Sequence, residues 1–370
     1  MILAFLALLY AALHALRLAF ALRHLREERA MPVAEVDSPV TILQPILSGD
    51  PALRDRLTAN LAAGDGAHFV WLVDDDDAEG QRIAADLAAG RPGVRVLSGR
   101  PPEDGENPKL LKLIRGAPDA GTIVVLDDDT VLRPGGALRL AARATEGLAT
   151  AIPLWVAPPR TKGEALVAGF INGQGAATYF AMTALGRNRT INGMAYAVRA
   201  ADLRWLGGFA AAGHEVTDDW AVARLATRRG LPLLQSVEVA EVAVTVPTLP
   251  EAFALLRRWM QFAARYLRAN MDGALFSLVV LPGLIPLAGL VLALLTGPLA
   301  AILWLGLILS RAAVHARLVR ALGGPGGGIV AAALADLLLP LLSLAAAIAP
   351  NRMRWRTRHM DLRGGRIRYR

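Results

Sequence analysis

Apolar residues gather at the two ends of this chain, in residues 1–22 and again from about 275 to 350, and leave a stretch of ordinary globular character between them. About 20 apolar residues in helical conformation cross a bilayer core, so this distribution predicts membrane segments at both ends and a water-soluble domain in the middle. The first segment, "MILAFLALLYAALHALRLAFAL", has no basic residue ahead of its apolar run and carries Arg17, Arg23, Arg26 and Arg29 late in it or just beyond. That charge order belongs to an anchor whose C-terminal side faces the cytoplasm; a cleaved signal would place its basic residues first and end on small residues. The run from 275 to 309 is too long for one crossing, and Gly297 with Pro298 stands where a tight turn would divide it into two. A third stretch, 329–349, holds Asp336 and Pro340, which are costly in lipid and predict contact with protein or water. Three crossings would carry the Arg-rich segment 351–370 to the far side, against the tendency of basic segments to remain inside. Either the third stretch is re-entrant or the segment after it is an exception.

Composition narrows the partners. The chain has no cysteine, which excludes disulfides and thiolate metal sites, and its six His are scattered without ligand spacing, against a structural zinc. The formal charge of +8 comes from arginines that flank the apolar segments, so the expected partners are anionic membrane lipids and phosphate groups, with no nucleic acid. Lysine is confined to Lys109, Lys112 and Lys162. An Ala- and Arg-rich, Lys-poor composition suggests a GC-rich bacterial gene, hence a multi-pass protein of the bacterial inner (plasma) membrane with its globular domain cytoplasmic.

Between Pro39 and about Arg229, short apolar runs alternate with helical patterns. "PVTILQPI", "HFVWLVDDDD", "VRVLSG" and "TIVVLDDD" are predicted strands; "PALRDRLTANLAA" and "EGQRIAADLAA" are predicted helices. This spacing predicts an α/β domain with a mostly parallel sheet covered on both faces, where ligands gather at the carboxyl ends of the strands. Both acidic clusters, 74–77 and 127–129, lie at such ends.

In "IVVLDDDTVLRPG", residues two apart on an extended chain share a side, so Asp127 and Asp129 can converge on one hard cation, Mg²⁺ or Mn²⁺, while Asp128 faces away. The same residues would also make a polar turn. The cluster in "WLVDDDDAEG" is either an N-cap for the next helix or a nucleotide-base and ribose site. Asp218 and Asp219 precede an amphipathic helix, where a paired acid can be a cap or can raise one pKa as a general base requires. In "LLRRWMQFAARYLR", 255–268, arginines and aromatics form either an interfacial helix with snorkelling side chains or a phosphate contact. "NGQGAAT" at 172–178 lacks the register of a dinucleotide loop, and "NRT" at 188–190 is a glycosylation sequon only outside the cytoplasm.

In order, "VTILQPILSGDPAL", "VDDDDAEG", "ENPKLLKLIRGA", "LDDDTVL", "INGMAYAVRAADLRWLGGF", "TDDW", "RRW" and "WRTRHMDLRGG" resemble the membrane glycosyltransferases of the type-A nucleotide-sugar fold (GT-A), specifically ceramide glucosyltransferases and their bacterial relatives. The resemblance runs from about Val40 to the C-terminus. It implies an N-terminal anchor at 1–22, a cytoplasmic GT-A domain at 38–245, an amphipathic interfacial helix at 250–270, a membrane region of two to three spans at 275–350 and an Arg-rich tail at 351–370.

It also implies roles. One or both of Asp74 and Asp75 would hold the uridine, with Asn107 and Lys109 near the nucleotide or its phosphates. Asp127 would serve the nucleotide-sugar and, with Asp129, the metal. Asp219, beside Asp218, would be the general base, and Arg257, Arg258 and Trp259 would contact phosphate or acceptor. Two positions depart from the pattern: Leu255 stands where a Gln or Arg is expected, and Gln44 where a Lys is common. The activity implied is transfer of a sugar, glucose first, from a UDP-sugar to the hydroxyl of a membrane lipid, ceramide first, by single displacement with inversion. A hopanoid, diacylglycerol or polyprenyl phosphate acceptor meets the same physical demand. A polysaccharide synthase and a nucleotide-sugar-binding membrane sensor without chemistry are the remaining alternatives.

Overall fold

The computed structural model describes the chain except residues 33–35, 37, 65, 349–351, 364, 365 and 370. Gly364 and Gly365, the end of the tail motif, therefore lie outside the described residues. The chain divides into two compact units.

The first unit comprises Met31–Pro153, Asn188–Thr245 and Pro350–Arg370. Its strands in chain order are β1 (Val40–Pro45), β2 (His68–Asp74), β3 (Val94–Gly99), β4 (Thr122–Leu126), β5 (Thr130–Leu132), β6 (Leu148–Leu154), β7 (Ala195–Arg199) and β8 (Leu233–Val242), joined as one sheet in the order β3-β2-β1-β4-β7-β6-β8-β5. From β3 to β4 the pairing is parallel, with Leu43 opposite both Val70 and Val125. Beyond β4 it is antiparallel, at β4 with β7, β6 with β7 and β5 with β8. The sheet is thus mixed, and the parallel character expected from the sequence belongs to the half that carries the two acidic strand ends.

Side-chain alternation decides which acid faces which helix. Val40, Ile42, Phe69, Trp71, Val73, Val124 and Leu126 pack into one core, and Leu43, Leu72, Ile123 and Val125 into the other, with Leu110, Leu113, Ala221 and Val222. Continuing the alternation puts Asp74 and Asp127 on the side of the helices Pro108–Gly116 and Asp218–Arg228, and Asp128 on the opposite side.

The segment expected as a separate Arg-rich tail is part of this unit. It forms an antiparallel sheet of β9 (Arg352–Trp355), β10 (Arg358–Arg363) and β11 (Arg366–Tyr369), with Met360 opposite Met353 and Tyr369, and Leu362 opposite Ile367. Its arginines alternate with Met353, Met360, Leu362 and Ile367, all buried, which is why a highly charged segment still folds.

The second unit comprises Met1–Ala30, Leu154–Arg187 and Val246–Ala349. Four of its helical stretches are long and apolar enough to cross a membrane: Ile2–Ala30, Gly273–Thr296, Pro298–Ala321 and Ile329–Ile348. The first outruns the 1–22 expected because Arg23 and Glu27, paired at 2.8 Å one turn apart, continue it. Gly297, at φ +139°, makes the break expected there. A further helix, Lys162–Ala184, also belongs to this unit although the sequence placed it in the α/β domain. It has no charge after Glu164, and at Gly169 a Cβ would stand 2.5 Å from the Ala331 backbone, so small residues let it pack closely. The "NGQGAAT" stretch is helical here. Asp336 has the protein contact its cost in lipid demands: it pairs with Arg311 and accepts from Gln174, which in turn accepts from Arg17 at 2.5 Å.

Candidate active site

Both acidic strand ends meet the same short helix. Pro108–Gly116 begins at Asn107, whose side chain accepts from the backbone N–H groups of Lys109 at 2.9 Å and Leu110 at 3.1 Å, an N-cap followed by Pro at the first helical position. The Asn107 amide also donates to the Glu215 carbonyl at 2.9 Å, tying this helix start to the loop before Asp218. Asn107 is 3% exposed and engaged in these contacts at the helix start.

Lys109 and Lys112, three residues apart, project from the same helix face. The Lys109 ammonium lies 2.6 Å from Asp127 and 2.9 Å from Asp218, and donates to the Gly193 carbonyl at 2.7 Å. The ends of β4 and of the loop into Asp218–Arg228 are thereby joined through one cation. Lys109 is a bridge within the protein, and Asp218 is its partner. Burial acts to lower the Lys109 ammonium, but Asp127 and Asp218 outweigh it and hold it well above the ordinary lysine value.

One ammonium leaves negative charge to spare. Burial pushes the Asp127 carboxyl up to about 8, with Lys109 pulling it down and Asp129 and Asp218 adding repulsion. The Asp219 carboxyl is pushed up to about 7, by burial first and then by Asp218. It accepts from its neighbour's backbone N–H, that of Trp220, at 2.6 Å. A Cβ at residue 193 would come within 3.0 Å of the Asp219 Cβ, so Gly193 keeps that approach open. A carboxylate poised near neutral pH in this way suits a general base.

Asp129 lies in the turn where the Thr130 N–H returns to the Asp127 carbonyl at 3.2 Å, with 25% of its side chain exposed. Among the described residues no group of three or more His, Cys, Asp or Glu could hold a metal ion. The strand end offers two carboxylates, Asp127 beside Lys109 and Asp129 at 3.7 Å from Arg356. Hard oxygen donors, a surplus of negative charge and the absence of a closed cage fit Mg²⁺ or Mn²⁺, ions that keep positions open for phosphate.

The first cluster is occupied differently. Asp74, fully buried, takes Lys112 at 3.1 Å and Arg358 at 2.8 Å. Lys112, also fully buried, donates to the Ile46 carbonyl at 2.7 Å. Asp77 caps the helix Ala78–Ala88, accepting from Gly80 at 3.0 Å and from Ser48 at 2.8 Å. Asp74, the residue expected at the uridine, thus meets two cations of the protein through one carboxylate oxygen. Asp75 remains exposed beside it.

Arg257, Arg258 and Trp259 are half-buried on the helix Leu249–Asn270 in the other unit. That helix starts in a capping box of Thr248 and Glu251, and the Trp259 ring packs 6.1 Å from Phe170.

Sequence reasoning assigned no part to Lys112, Gln44, Arg356 or Arg358. Gln44 accepts from the Trp71 indole at 3.0 Å and donates to the Asp127 carbonyl at 3.3 Å, bracing the acidic strand end. Arg356 holds Asp128 with two bonds of 2.5 and 2.6 Å, and Arg358 bridges Asp74 and Asp76. The alternating arginines of the tail were a signal that a strand was present, but nothing in them named a partner some 230 residues away.

Among solved structures, the chain is similar to the mannosyltransferase PcManGT from Pyrobaculum calidifontis in complex with GDP-Man and Mn²⁺, at 18% identity over 91% of this chain and 99% of that one, with a TM-score of 0.53. A weaker likeness, TM-score 0.37 and 15% identity over 64% of this chain and 81% of that one, is to glucosyl-3-phosphoglycerate synthase from Mycobacterium tuberculosis in complex with Mn²⁺, UDP and phosphoglyceric acid. The first of these shows the GT-A fold. No curated protein matches. The family model of glycosyl transferase family 21 matches residues 1–368, and on that near-complete match the chain belongs to glycosyl transferase family 21 and is a glycosyltransferase.

Proposed function

We propose that this enzyme transfers a sugar from a UDP-sugar to the hydroxyl of a membrane lipid, with inversion, on the cytoplasmic face of a bacterial inner membrane. The observation that carries the reading is the charge pattern at the end of β4: Lys109 binds Asp127 and Asp218 together, while Asp219 is held near neutrality beside them. Asp219 takes the proton from the acceptor hydroxyl oxygen as that oxygen attacks the sugar carbon, and the bond to the nucleoside diphosphate breaks on the opposite face. Asp127 and Asp129 hold Mg²⁺ or Mn²⁺, which when bound offsets the negative charge growing on the diphosphate. Lys109 keeps Asp127 and Asp218 from repelling each other apart. Asp75, exposed at the end of β2, is the remaining acid available to the uracil ring.

A lipid acceptor is supported by the four apolar helical stretches and by the interfacial character of Leu249–Asn270, where Arg257, Arg258 and Trp259 suit a phosphate or lipid headgroup. Ceramide and glucose follow from the resemblance alone, and the arginines after residue 22 favour the cytoplasmic orientation. PcManGT is described with a guanosine diphosphate sugar, so the donor base belongs in the test. The protein in lipid nanodiscs is given UDP-sugars and GDP-mannose in turn, with ceramide, diacylglycerol or neither, in Mn²⁺ or EDTA, and nucleoside diphosphate release is measured. Metal-dependent release from a UDP-sugar that requires ceramide is expected. Release driven by another lipid replaces the acceptor, release only from GDP-mannose replaces the donor, and no release with any pair overturns the reading.

A further inference from the structure

We infer that the outer face of the C-terminal sheet is a docking surface for anionic phospholipid headgroups. The inference goes beyond the transfer reaction and stands whatever the donor. Residues 352–370 carry eight arginines and one acid, Asp361. Strand alternation sorts these arginines into two sets. Register puts Arg358 on the face of Met353, Met360, Leu362 and Ile367, all four buried. Arg358 is held there by Asp74 and Asp76, and Arg356, in the turn before it, is held by Asp128. Both are committed to carboxylates of the protein.

The other set faces the opposite way. Arg352 and Arg354 on β9, His359 on β10 and Arg368 on β11 share the outer face and are exposed. Arg354 lies opposite His359, and Asp361 is the cross-strand neighbour of both Arg352 and Arg368. Like charges on neighbouring strands repel, and against them stands one carboxylate, that of Asp361, 3.9 Å from Arg352. The Arg354 Nε donates to the Arg356 carbonyl at 2.8 Å, which uses one donor and leaves the charge. Elsewhere in the same unit the exposed arginines Arg100 and Arg199 each have a close carboxylate, Glu106 and Asp202, at 2.6 Å. The outer face instead keeps a surplus of positive charge, and an anionic surface relieves it.

Two observations make the occupant a lipid surface. In sequence the basic cluster follows Ile329–Ile348, one of the four helical stretches long and apolar enough to cross a membrane. Arginines clustered next to such a stretch bind anionic headgroups, each strengthening the contact about fivefold. The second observation sets nucleic acid aside: Trp355 and Tyr369, on which bases would stack, belong to the inner face.

The chain lacks cysteine, so His359→Cys supplies a single attachment point for a fluorophore on the outer face. The labelled full chain is placed in phosphatidylcholine nanodiscs with a trace of lipid carrying a nitroxide on its headgroup, which quenches the fluorophore at close range. Phosphatidylglycerol is then titrated in, with thermal unfolding measured alongside. Quenching is expected to rise with phosphatidylglycerol and to disappear in about 0.5 M salt, where ionic contacts are screened. Arg352→Gln, Arg354→Gln and Arg368→Gln together lower the ratio of docked to free face about 100-fold, at about fivefold each, with the unfolding temperature unchanged. Arg368→Gln alone, expected to lower it about fivefold, keeps the test open if the triple variant fails to fold. Quenching that ignores phosphatidylglycerol overturns the inference, as does a triple variant that responds like the wild type. A single-stranded RNA oligonucleotide that binds the wild type but not the triple variant in phosphatidylcholine discs, with phosphatidylglycerol without effect, overturns it in favour of a nucleic acid.

Discussion

The two acidic strand ends look alike in sequence and differ in charge balance. At the end of β2 the protein supplies its own counter-cations: Lys112 and Arg358 meet Asp74, Arg358 meets Asp76, and Asp77 is consumed as a helix cap. At the end of β4, Arg356 holds Asp128 and stands 3.7 Å from Asp129, and Lys109 is divided between Asp127 and Asp218. Asp129 and Asp219 add to that surplus, and the raised carboxyls of Asp127 and Asp219 record it. A run of aspartates is therefore not a functional signal by itself. The cations that the fold brings to it decide whether it is scaffold or site.

Breaking this contrast should produce effects of graded size. Asp219→Asn removes the base and lowers kcat by about 10²–10⁴-fold with UDP affinity retained; a variant that turns over at the wild-type rate removes Asp219 from the chemistry. The same group gives the wild type a pH dependence. Its carboxyl is raised to about 7, so it is ionised and able to accept a proton only above that value. Hence kcat falls as pH drops through about 7, and an acid limb near 4 instead would contradict the burial argument.

Asp74→Ala leaves Lys112 buried without its carboxylate. A loss of about 3–5 kcal/mol in unfolding free energy is expected, and a loss near zero would show that the β2 end is not scaffold. Asp127→Asn is the matching change at the other end. A neutral side chain replaces one that burial already disfavours in its charged form, so stability changes by about 1 kcal/mol or less while Mn²⁺-dependent UDP binding is lost. Equal destabilisation by Asp74→Ala and Asp127→Asn would erase the distinction between the two ends.

Smaller effects refine the β2 end. Asp77→Ala costs about 1 kcal/mol, the value of an N-cap, with donor KM unchanged. Asp75→Asn alters stability by less than about 0.5 kcal/mol, and a raised KM for the UDP-sugar is expected, read from initial rates. An unchanged KM would leave the β2 end without a donor contact.

Much of this was legible in the sequence because it depends on local pattern. The parallel half of the sheet, the break at Gly297, the helix Leu249–Asn270 and the acid pair at a helix start all follow from hydrophobic period, turn residues and capping chemistry, which act over a few residues. The helix Lys162–Ala184 was misplaced because an apolar helix of small residues has the same pattern whether it covers a sheet or packs among membrane helices. The protein partners of Asp74 and Asn107 were not legible for a related reason. Their residue types suit a nucleotide as well as they suit Lys112 or a helix start, and only their partners tell the two apart.

By itself, the sequence determined that apolar ends flank an α/β domain with carboxylates at two parallel strand ends, since strand period and apolar length are local properties of the chain. The tertiary structure decided which carboxylates are neutralised and which are left for an ion or a proton. It did so by bringing Lys109 and Lys112 down from one helix face and Arg356 and Arg358 back from the C-terminus. Coulomb attraction depends on distance in space, and no spacing along the chain encodes a contact between residues 128 and 356.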